Sequence, residues 1–233
     1  MDDIKNKYLI IENTNDDSST ALCLDIRNST KLVNQYSINQ LKFHSEFLID
    51  LKELIYQDGV KGELSVNDTG DGIICLFWNK THSWTALRIG VAMYELLTKF
   101  QADAYRKFLN ENKINDDFGF GIGIHCDSSL VYRSKTTQQD FMFGSVLNST
   151  ARLESFTKTF KNINLLFTEH FIDVLKTQMN DFNKKSKASK TLKFSELEND
   201  LKLVCKEKIE INDAKKIGHS LWTIKENHNL LQL

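Results

Sequence analysis

Short apolar runs alternate with amphipathic segments along most of the chain. The run Thr20–Ile26 (TALCLDI) predicts a buried strand that ends at Asp25, and Arg27–Thr30 offers several caps for a helix that follows directly. Residues 1–18 are polar apart from the short apolar run Tyr8–Ile11, so we expect a loose tail there.

Two longer helices are predicted in the first half of the chain. The sequence S-I-N-Q from Ser37 fits a capping box, the apolar residues after it follow a helical period, and Gly59 is a suitable C-terminal stop. The segment from Thr81 to about Asn112 also has an apolar stripe at helical spacing, which predicts a long amphipathic helix.

Residues Ser65–Phe77 (SVNDTGDGIICLF) predict a β-hairpin. Two apolar runs flank the polar turn 67–72, whose glycines allow the backbone angles of a sharp corner. Asp71 stands between two glycines at the tip, where a carboxylate is exposed on a rigid turn. Because Asp and Gly are also the usual turn residues, Asp71 indicates metal chemistry only if a second carboxylate lies nearby.

The second half of the chain continues the alternation. The run Phe118–Cys126 (FGFGIGIHC) predicts a strand whose three glycines share one face, which lets another backbone or a flat ligand approach closely. The segment from Gly144 to about Lys158 predicts a helix that carries Asn148 and Arg152 on one face, four residues apart. Further predicted elements are strands at 130–132, 140–143, 162–167 and 220–224, a helix from Thr168 to about Asn180, and a basic linker at 183–190.

This order of elements predicts a mixed α/β (α+β) fold with helices on one face of a mainly antiparallel sheet. No internal repeat or shift in composition divides the 233 residues. We therefore expect a single domain over 1–233, with a core at about 20–168 and a C-terminal extension at 169–233.

Charge and cysteine content narrow the function classes. Thirty basic and 31 acidic residues give a net charge of −1, so no basic excess favours a nucleic-acid partner. No apolar run reaches the roughly 18 residues that cross a bilayer, and we expect a cytoplasmic protein without a membrane segment. The cysteines form no C-x-x-C pair and are expected to be reduced, mostly buried thiols; they are Cys23, Cys75, Cys126 and Cys205.

Asp25 and Asp71 are candidates for one metal site. A strand that ends at Asp25 beside the hairpin tip would bring both carboxylates together, and such oxygen ligands suit Mg²⁺ or Mn²⁺ with substrate phosphates completing the shell. Free backbone N–H groups of Arg27–Thr30 would face those phosphates. Arg152 would add positive charge for phosphoryl transfer and Asn148 a contact to a sugar oxygen. On the residues alone, a plain helix cap, a turn residue and a surface charge stay open as the alternative.

Four segments occur in an order that resembles the class III nucleotidyl cyclase catalytic domain. They are LCLDIRNST, NDTGDGIICLF, FGIGIH and the pattern G-x-x-x-N-x-x-x-R-L-E-S at Gly144–Ser155, and the resemblance covers about 20–168. It implies a ferredoxin-like sheet and a head-to-tail homodimer with two shared active sites. It also implies conversion of a nucleoside triphosphate to a 3′,5′-cyclic monophosphate and pyrophosphate with two metal ions.

The resemblance assigns roles to individual residues. It implies that Asp25, Asp71 and the carbonyl of Ile26 bind two divalent cations, Mn²⁺ or Mg²⁺. It implies that Asn148 orients the ribose and that Arg152 stabilises the transition state, both in the site of the partner subunit. The candidate contacts to the triphosphate are Asn28, Ser29, Thr30 and Lys216, with Lys215 as the alternative lysine.

Two departures from the family pattern concern the base pocket. Asn67 stands where adenylate cyclases carry Lys and guanylate cyclases Glu, and Phe141 stands where purine cyclases commonly carry Asp, Thr or Cys. A bulky ring favours a smaller base, and an Asn amide both donates and accepts on a pyrimidine edge. DIRNST also resembles the bacterial antiphage pyrimidine cyclases (the Pycsar group). We therefore expect a cyclase that makes cUMP or cCMP, with a cyclic-nucleotide-sensing effector downstream.

A third departure is His125–Asp127, where the family usually has a small residue and Gly after the histidine. Two other functions remain open. One is an adenylate cyclase in which Asp140 replaces the missing aspartate through a one-residue strand shift. The other is an inactive cyclase-like module, and retention of the metal and catalytic candidates counts against it because a non-catalytic module has no need for all of them.

Overall fold

The computed structural model describes residues 8–37, 42–58, 64–113, 119–160, 163–185, 194–195, 203–206 and 221–224, with side chains described outside 8–18, 100–102, 185, 203–206 and 224. The strands are β1 Tyr8–Arg27, β2 Leu64–Asp68, β3 Gly72–Phe77, β4 Gly119–Ser134, β5 Asp140–Phe143, β6 Leu165–Thr168, β7 Leu203–Lys206 and β8 Leu221–Ile224. The helices are α1 Ser29–Gln35, α2 Lys42–Asp58, α3 His82–Phe100, α4 Arg106–Glu111, α5 Ser145–Phe156 and α6 Glu169–Lys185, with a π-helical turn Gln101–Tyr105 between α3 and α4 and a 3-10 turn Thr157–Thr159 after α5.

The described strands form one sheet in the order β2-β3-β1-β4-β6-β8-β7, and β5 pairs with β4 outside this path. All pairs are antiparallel except β4 with β6. The expected ferredoxin-like, mainly antiparallel sheet with packed helices is therefore confirmed. Because β3 of the hairpin pairs with β1, the tip of the hairpin and the C-terminal end of β1 lie side by side, at the same end of these strands.

Helices cover both faces of this sheet, because successive side chains of a strand point to opposite faces. Leu22 and Leu24 lie in the main core with residues of α2, α3 and α6. Ala21 lies in a separate cluster with Val146 of α5. The expectation that the helices share one face is therefore wrong, since α5 covers the second face.

The glycines of β4 let α5 approach this second face closely. A Cβ atom at Gly123 would lie 2.6 Å from the backbone nitrogen of Glu154 and 2.7 Å from the carbonyl oxygen of Thr150. A Cβ atom at Gly121 would lie 2.3 Å from Thr157 Oγ1. The backbone of α5 therefore packs directly on the bare strand, as the shared glycine face predicted.

β1 is longer than predicted. It begins at Tyr8 and pairs with β4 through two register shifts, so the expected loose tail is wrong for residues 8–18. Most of this segment after Ile11 is polar, and it is a strand because its backbone pairs with the extension of β4 rather than because of a continuous apolar pattern. β4 likewise runs unbroken through the polar stretch 127–129, so the strands predicted at 118–126 and 130–132 are one.

Other predicted boundaries are close to the observed ones. α2 is described from Lys42 to Asp58, and the caps predicted near Ser37 and at Gly59 stay predictions because 38–41 and 59–63 lie outside the described residues. α6 continues to Lys185, into the predicted basic linker. None of the helices described here has the length and apolar character that crossing a membrane requires.

Three of the cysteines are buried free thiols, as expected: Cys23, Cys75 and Cys126. Burial raises the pKa of the Cys23 thiol to about 12, which leaves it unreactive at neutral pH. The side chain of Cys205 lies outside the described ones.

Close packing of α5 on β4 predicts an asymmetry between two glycine substitutions. Gly123→Ala should destabilise the protein by about 1–3 kcal/mol, because a methyl group would push against backbone atoms of α5. Gly119→Ala is the matched control on the same strand, since its methyl group would meet only the flexible side chain of Arg27. Thermal unfolding measures both, and equal melting temperatures for the two variants would contradict this packing.

Candidate active site

Asp25 and Asp71 lie at one corner of the sheet, where β1 ends and the hairpin turns. Asp25 pairs with Gly72 across β1 and β3, and the backbone N–H of Ile26 donates to the carbonyl oxygen of Asp71 at 3.2 Å. Both aspartate side chains are half-buried. Because a strand residue directs its N–H and C=O toward the same neighbour, the carbonyl of Ile26 also points to the hairpin.

Gly72 keeps this corner open. A Cβ atom there would lie 2.8 Å from the carbonyl oxygen of Leu24 and 3.4 Å from Asp25 Oδ1. A larger residue would press against the strand and the carboxylate together. The other glycine of the turn, Gly70, has a φ of +96°, a region that side chains disfavour.

The donor set at this corner fits a hard divalent cation. Two carboxylates and a backbone carbonyl are the oxygen ligands that Mg²⁺ and Mn²⁺ prefer, with water and phosphate at the other positions. Across the described part of the chain, no group of three or more His, Cys, Asp or Glu side chains gathers to hold a metal.

The start of α1 contacts Asp71 from the other side. Thr30 Oγ1 donates to Asp71 Oδ2 at 3.2 Å. Ser29 is buried and its Oγ lies 3.3 Å from His44 Nε2, so this hydroxyl faces α2. Asn28 is exposed and has a φ of 61°. A cleft of about 420 Å³ opens beside Asp71 between α1, α2 and the hairpin turn, a size typical of small-ligand sites.

Two charged residues that the sequence patterns did not single out complete the corner. Lys158 Nζ lies 3.2 Å from Asp25 Oδ2 and 3.9 Å from Glu154 Oε1. Glu154 is only 4% exposed, and it fits because a Cβ at Gly121 would lie 2.4 Å from its Oε1. The i,i+4 spacing of the pair was the available signal. It does not reveal that the pair faces Asp25, because this depends on how α5 crosses the sheet.

Burial dominates the electrostatics of Glu154. It raises the pKa of this carboxyl to about 7, against the attraction of the Lys158 ammonium. Burial also lowers the pKa of Arg27, whose Nη2 donates to Thr157 Oγ1 at 2.9 Å. The corner therefore holds two basic groups close to the carboxylates even before any cation binds.

Asn148 and Arg152 lie on the outer face of α5. The buried residues of this helix are Val146, Thr150, Leu153 and Glu154, and both candidates are exposed on the opposite side. Among the described residues, neither side chain makes a hydrogen bond or an ion pair. One chain thus brings the backbones of Asp25 and Asp71 together but leaves Asn148 and Arg152 facing outward.

The base-pocket candidates lie on two strands that approach each other. Asn67 is exposed on β2, opposite Ile74 of β3. Phe141 of β5 is 38% exposed and lies opposite Tyr132 of β4. Cα atoms of β2 and β5 come within 8 Å of each other, although three strands separate them in the order of the sheet.

Asp140 is held in an ion pair with Arg133. Arg133 Nε and Nη2 donate to its two carboxylate oxygens at 2.7 and 3.0 Å, and this contact raises the pKa of Arg133. The register places Asp140 opposite Arg133 and Phe141 opposite Tyr132, and the one-residue shift of the adenylate cyclase alternative stays a prediction. Lys215 and Lys216 lie outside the described residues, and the choice of a phosphate-binding lysine stays a prediction.

No protein-family model matches this sequence, and no curated protein matches it either. Solved structures of nucleotide cyclases are nevertheless similar. The adenylyl cyclase CyaB from P. aeruginosa gives a TM-score of 0.62 at 15% identity, with 94% of this chain and 98% of that chain covered. The chain has the cyclase catalytic fold.

Two further solved cyclase structures have a similar fold. The catalytic core of a rhodopsin-guanylyl cyclase with converted specificity, in complex with ATPαS, gives a TM-score of 0.59 at 12% identity, covering 92% of this chain and 98% of that chain. A bacterial light-regulated adenylyl cyclase gives 0.56 at 16% identity, covering 92% and 93%. At 12–16% identity, the structural similarity establishes the fold but not the substrate.

The raised pKa of Glu154 predicts how its replacement changes stability with pH. The folded chain holds this proton up to about pH 7, whereas the unfolded chain releases it near the ordinary value of 4.5. The contribution of Glu154 to the free energy of unfolding is therefore complete below pH 4.5 and is lost as the pH rises to about 7. Glu154→Gln should raise the melting temperature at pH 8 and change it little at pH 4.5, in metal-free buffer. An equal effect at both pH values would contradict the buried carboxyl.

Proposed function

We propose that this chain is a nucleotidyl cyclase that converts a pyrimidine nucleoside triphosphate, UTP or CTP, to the 3′,5′-cyclic monophosphate and pyrophosphate. The observation that carries the proposal is the corner formed by Asp25 and Asp71, together with Asn148 and Arg152 on the outer face of α5. These are the residue types that nucleotidyl transfer needs, and they occur on the cyclase fold.

The reaction assigns a task to each group. Asp25, Asp71 and the carbonyl of Ile26 would hold two divalent cations, Mg²⁺ or Mn²⁺, which supply charge neutralisation at the triphosphate. The ribose 3′ oxygen forms a bond to the α-phosphorus, the bond from that phosphorus to the oxygen bridging to the β-phosphate breaks, and the hydroxyl proton leaves to solvent. Asn148 would fix the ribose, and Arg152 would stabilise the charge that develops on the α-phosphate.

The positions of these side chains support a homodimer. Asn148 and Arg152 are exposed and face away from the sheet that carries Asp25 and Asp71. A second copy in head-to-tail arrangement would present them to the aspartates of the first, giving two equivalent sites related by a two-fold axis. Each site would then take its metal ligands from one chain and its transition-state contacts from the other.

The choice of a pyrimidine rests on the base-pocket candidates. The amide of Asn67 both donates and accepts hydrogen bonds without charge, and in the proposed pocket the ring of Phe141 would take volume that a purine needs. The adenylate cyclase alternative requires Asp140 at the pocket. The bidentate ion pair of Asp140 with Arg133 weakens that alternative, since the carboxylate would have to give up both hydrogen bonds.

The wider role is proposed on the resemblance of DIRNST to the antiphage pyrimidine cyclases. In that role the protein acts in the cytoplasm as one domain, and its cyclic product is a second messenger for a nucleotide-sensing effector. The triphosphate would contact Asn28, Thr30 and Lys216, with Ser29 supporting the turn from beneath through His44.

A direct assay of products tests the proposed function. The purified protein is incubated with ATP, GTP, CTP and UTP separately in Mn²⁺, and the products are resolved by mass. We expect cUMP or cCMP, because Asn67 and Phe141 suit a small base. Formation of cAMP or cGMP alone would contradict the pyrimidine assignment, and no cyclic product would contradict the enzyme assignment.

A matched pair of hairpin variants controls this assay. Asp71→Asn should abolish the product and leave the oligomeric state unchanged. Asp68→Asn removes a charge three residues away and should retain activity, because an amide oxygen still accepts the Gly70 N–H that Asp68 Oδ1 accepts at 2.9 Å. Equal activity of the two variants would contradict the metal assignment.

A further inference from the structure

Three consecutive residues of β4 are linked to the starts of three different helices. His125 and Asp127 contact residues at the starts of α6 and α5, and Cys126 reaches the start of α3 through Thr20. His125 Nδ1 lies 2.8 Å from Thr168 Oγ1, and that hydroxyl also accepts the backbone N–H of Phe171 at the start of α6. This segment is the third departure from the pattern of the class III cyclases.

Cys126 serves the opposite face of the sheet. Its Sγ lies 2.9 Å from Thr20 Oγ1, which lies 2.6 Å from Nδ1 of His82, the first residue of α3. All three side chains are buried. His125 and Cys126 thus join the starts of α6 and α3 to the centre of the sheet.

Asp127 is engaged at the start of α5. Its Oδ2 accepts the hydroxyl of Ser145 at 2.6 Å, and its Oδ1 accepts the backbone N–H of Ser128 at 2.7 Å. Its carbonyl oxygen accepts the hydroxyl of Ser19 at 2.7 Å. Both carboxylate oxygens therefore have a donor, and one of these donors is the first residue of the helix that carries Asn148 and Arg152.

The start of α5 has no cap of its own. Its N-cap position is Gly144, which offers no side chain, and Gly144 has a φ of +142° where the chain crosses β4. A Cβ there would lie 2.5 Å from the carbonyl oxygen of Ser128. The first turn of a helix has free N–H groups and a partial positive charge, so a carboxylate from the neighbouring strand stabilises it.

The two ends of α5 are held by different contacts. Toward its C-terminal end, Glu154 packs against Gly123 and Gly121, and this packing involves backbone atoms. At the N-terminal end Ser145 donates to Asp127 at 2.6 Å and lies 3.4 Å from Ser128 Oγ, and Val146 packs in the separate core cluster. Of the two contacts of Ser145, the one with Asp127 is the shorter and the one to a charged group. Loss of this contact should therefore loosen the first turn while the C-terminal half stays seated on the sheet.

We infer that Asp127 is a positioning residue that fixes the first turn of α5 through Ser145 and so sets the direction in which Asn148 enters the partner subunit's site. The inference rests on the proposed function and adds a specific residue to it. Asn148 lies within one helical turn of Ser145, so a tilt of that turn moves it directly. Misplacement of such a group by about 1 Å costs on the order of 100-fold in rate.

Mixed dimers test this with a readout that a general structural role would not give. One chain carries Asp71→Asn and the other Arg152→Ala, so the mixed dimer keeps one intact site. Its aspartates come from the Arg152→Ala chain and its Arg152 from the Asp71→Asn chain. Asp127→Ala is then added to either chain, and kcat and KM are measured separately.

Asp127→Ala on the chain that supplies Arg152 should lower kcat about 10- to 100-fold with little change in KM. On the chain that supplies the aspartates it should leave kcat within about twofold. Equal losses in both arrangements, or no loss in either, would overturn the inference. Asp173→Ala removes an exposed α6 carboxylate paired with Lys176 and serves as the control in both arrangements.

Hydrogen exchange separates failure of this inference from failure of the proposed function. In full-length Asp127→Ala, the amides of residues 148–150, the first in α5 with an acceptor four residues earlier, should exchange at least about tenfold faster than in wild type, while those of 153–156 stay protected. Unchanged exchange at 148–150 overturns the inference even if the enzyme is active. A wild-type protein without cyclase activity refutes the proposed function, and the exchange rates still decide the role of Asp127.

Discussion

The close approach of α5 to the glycine face of β4 is the constraint on which the rest of the site depends. Gly121 and Gly123 leave no side chain between strand and helix, so the backbone of α5 lies against the sheet. This contact turns Glu154 inward beside Asp25 and leaves Asn148 and Arg152 outward. A side chain at either glycine would lift the helix and disturb both arrangements at once.

The resulting site has two halves with different physical supports. The aspartate half is held by strand pairing, since β1 and the hairpin fix Asp25 and Asp71 through the backbone hydrogen bond between Ile26 and Asp71. The other half sits on one face of a short helix that is anchored at its start by Asp127. Under the proposed function a second chain would bring the two halves together, and the exposed position of Arg152 is consistent with that arrangement.

The sequence predicted the features that local chemistry determines. The glycines of the hairpin, the strand ending at Asp25 and the spacing of Asn148 and Arg152 were all readable, because turns and helical periods are local. The N-terminal part of β1, the second helical face of the sheet and the contact of Lys158 with Asp25 were not, because each depends on pairing between distant segments. The ion pair of Asp140 with Arg133 could not be predicted from the sequence either, because it depends on the register of β5 on β4.

The central claim is that each active site is built from two chains, and activity as a function of dilution tests it most directly. Product formation per chain is measured with the preferred triphosphate across a range of protein concentrations, and the dimer fraction is determined at the same concentrations. If each active site takes residues from two chains, the specific activity falls in proportion to the dimer fraction and vanishes for the monomer. Constant activity per chain from dimer to monomer would contradict it.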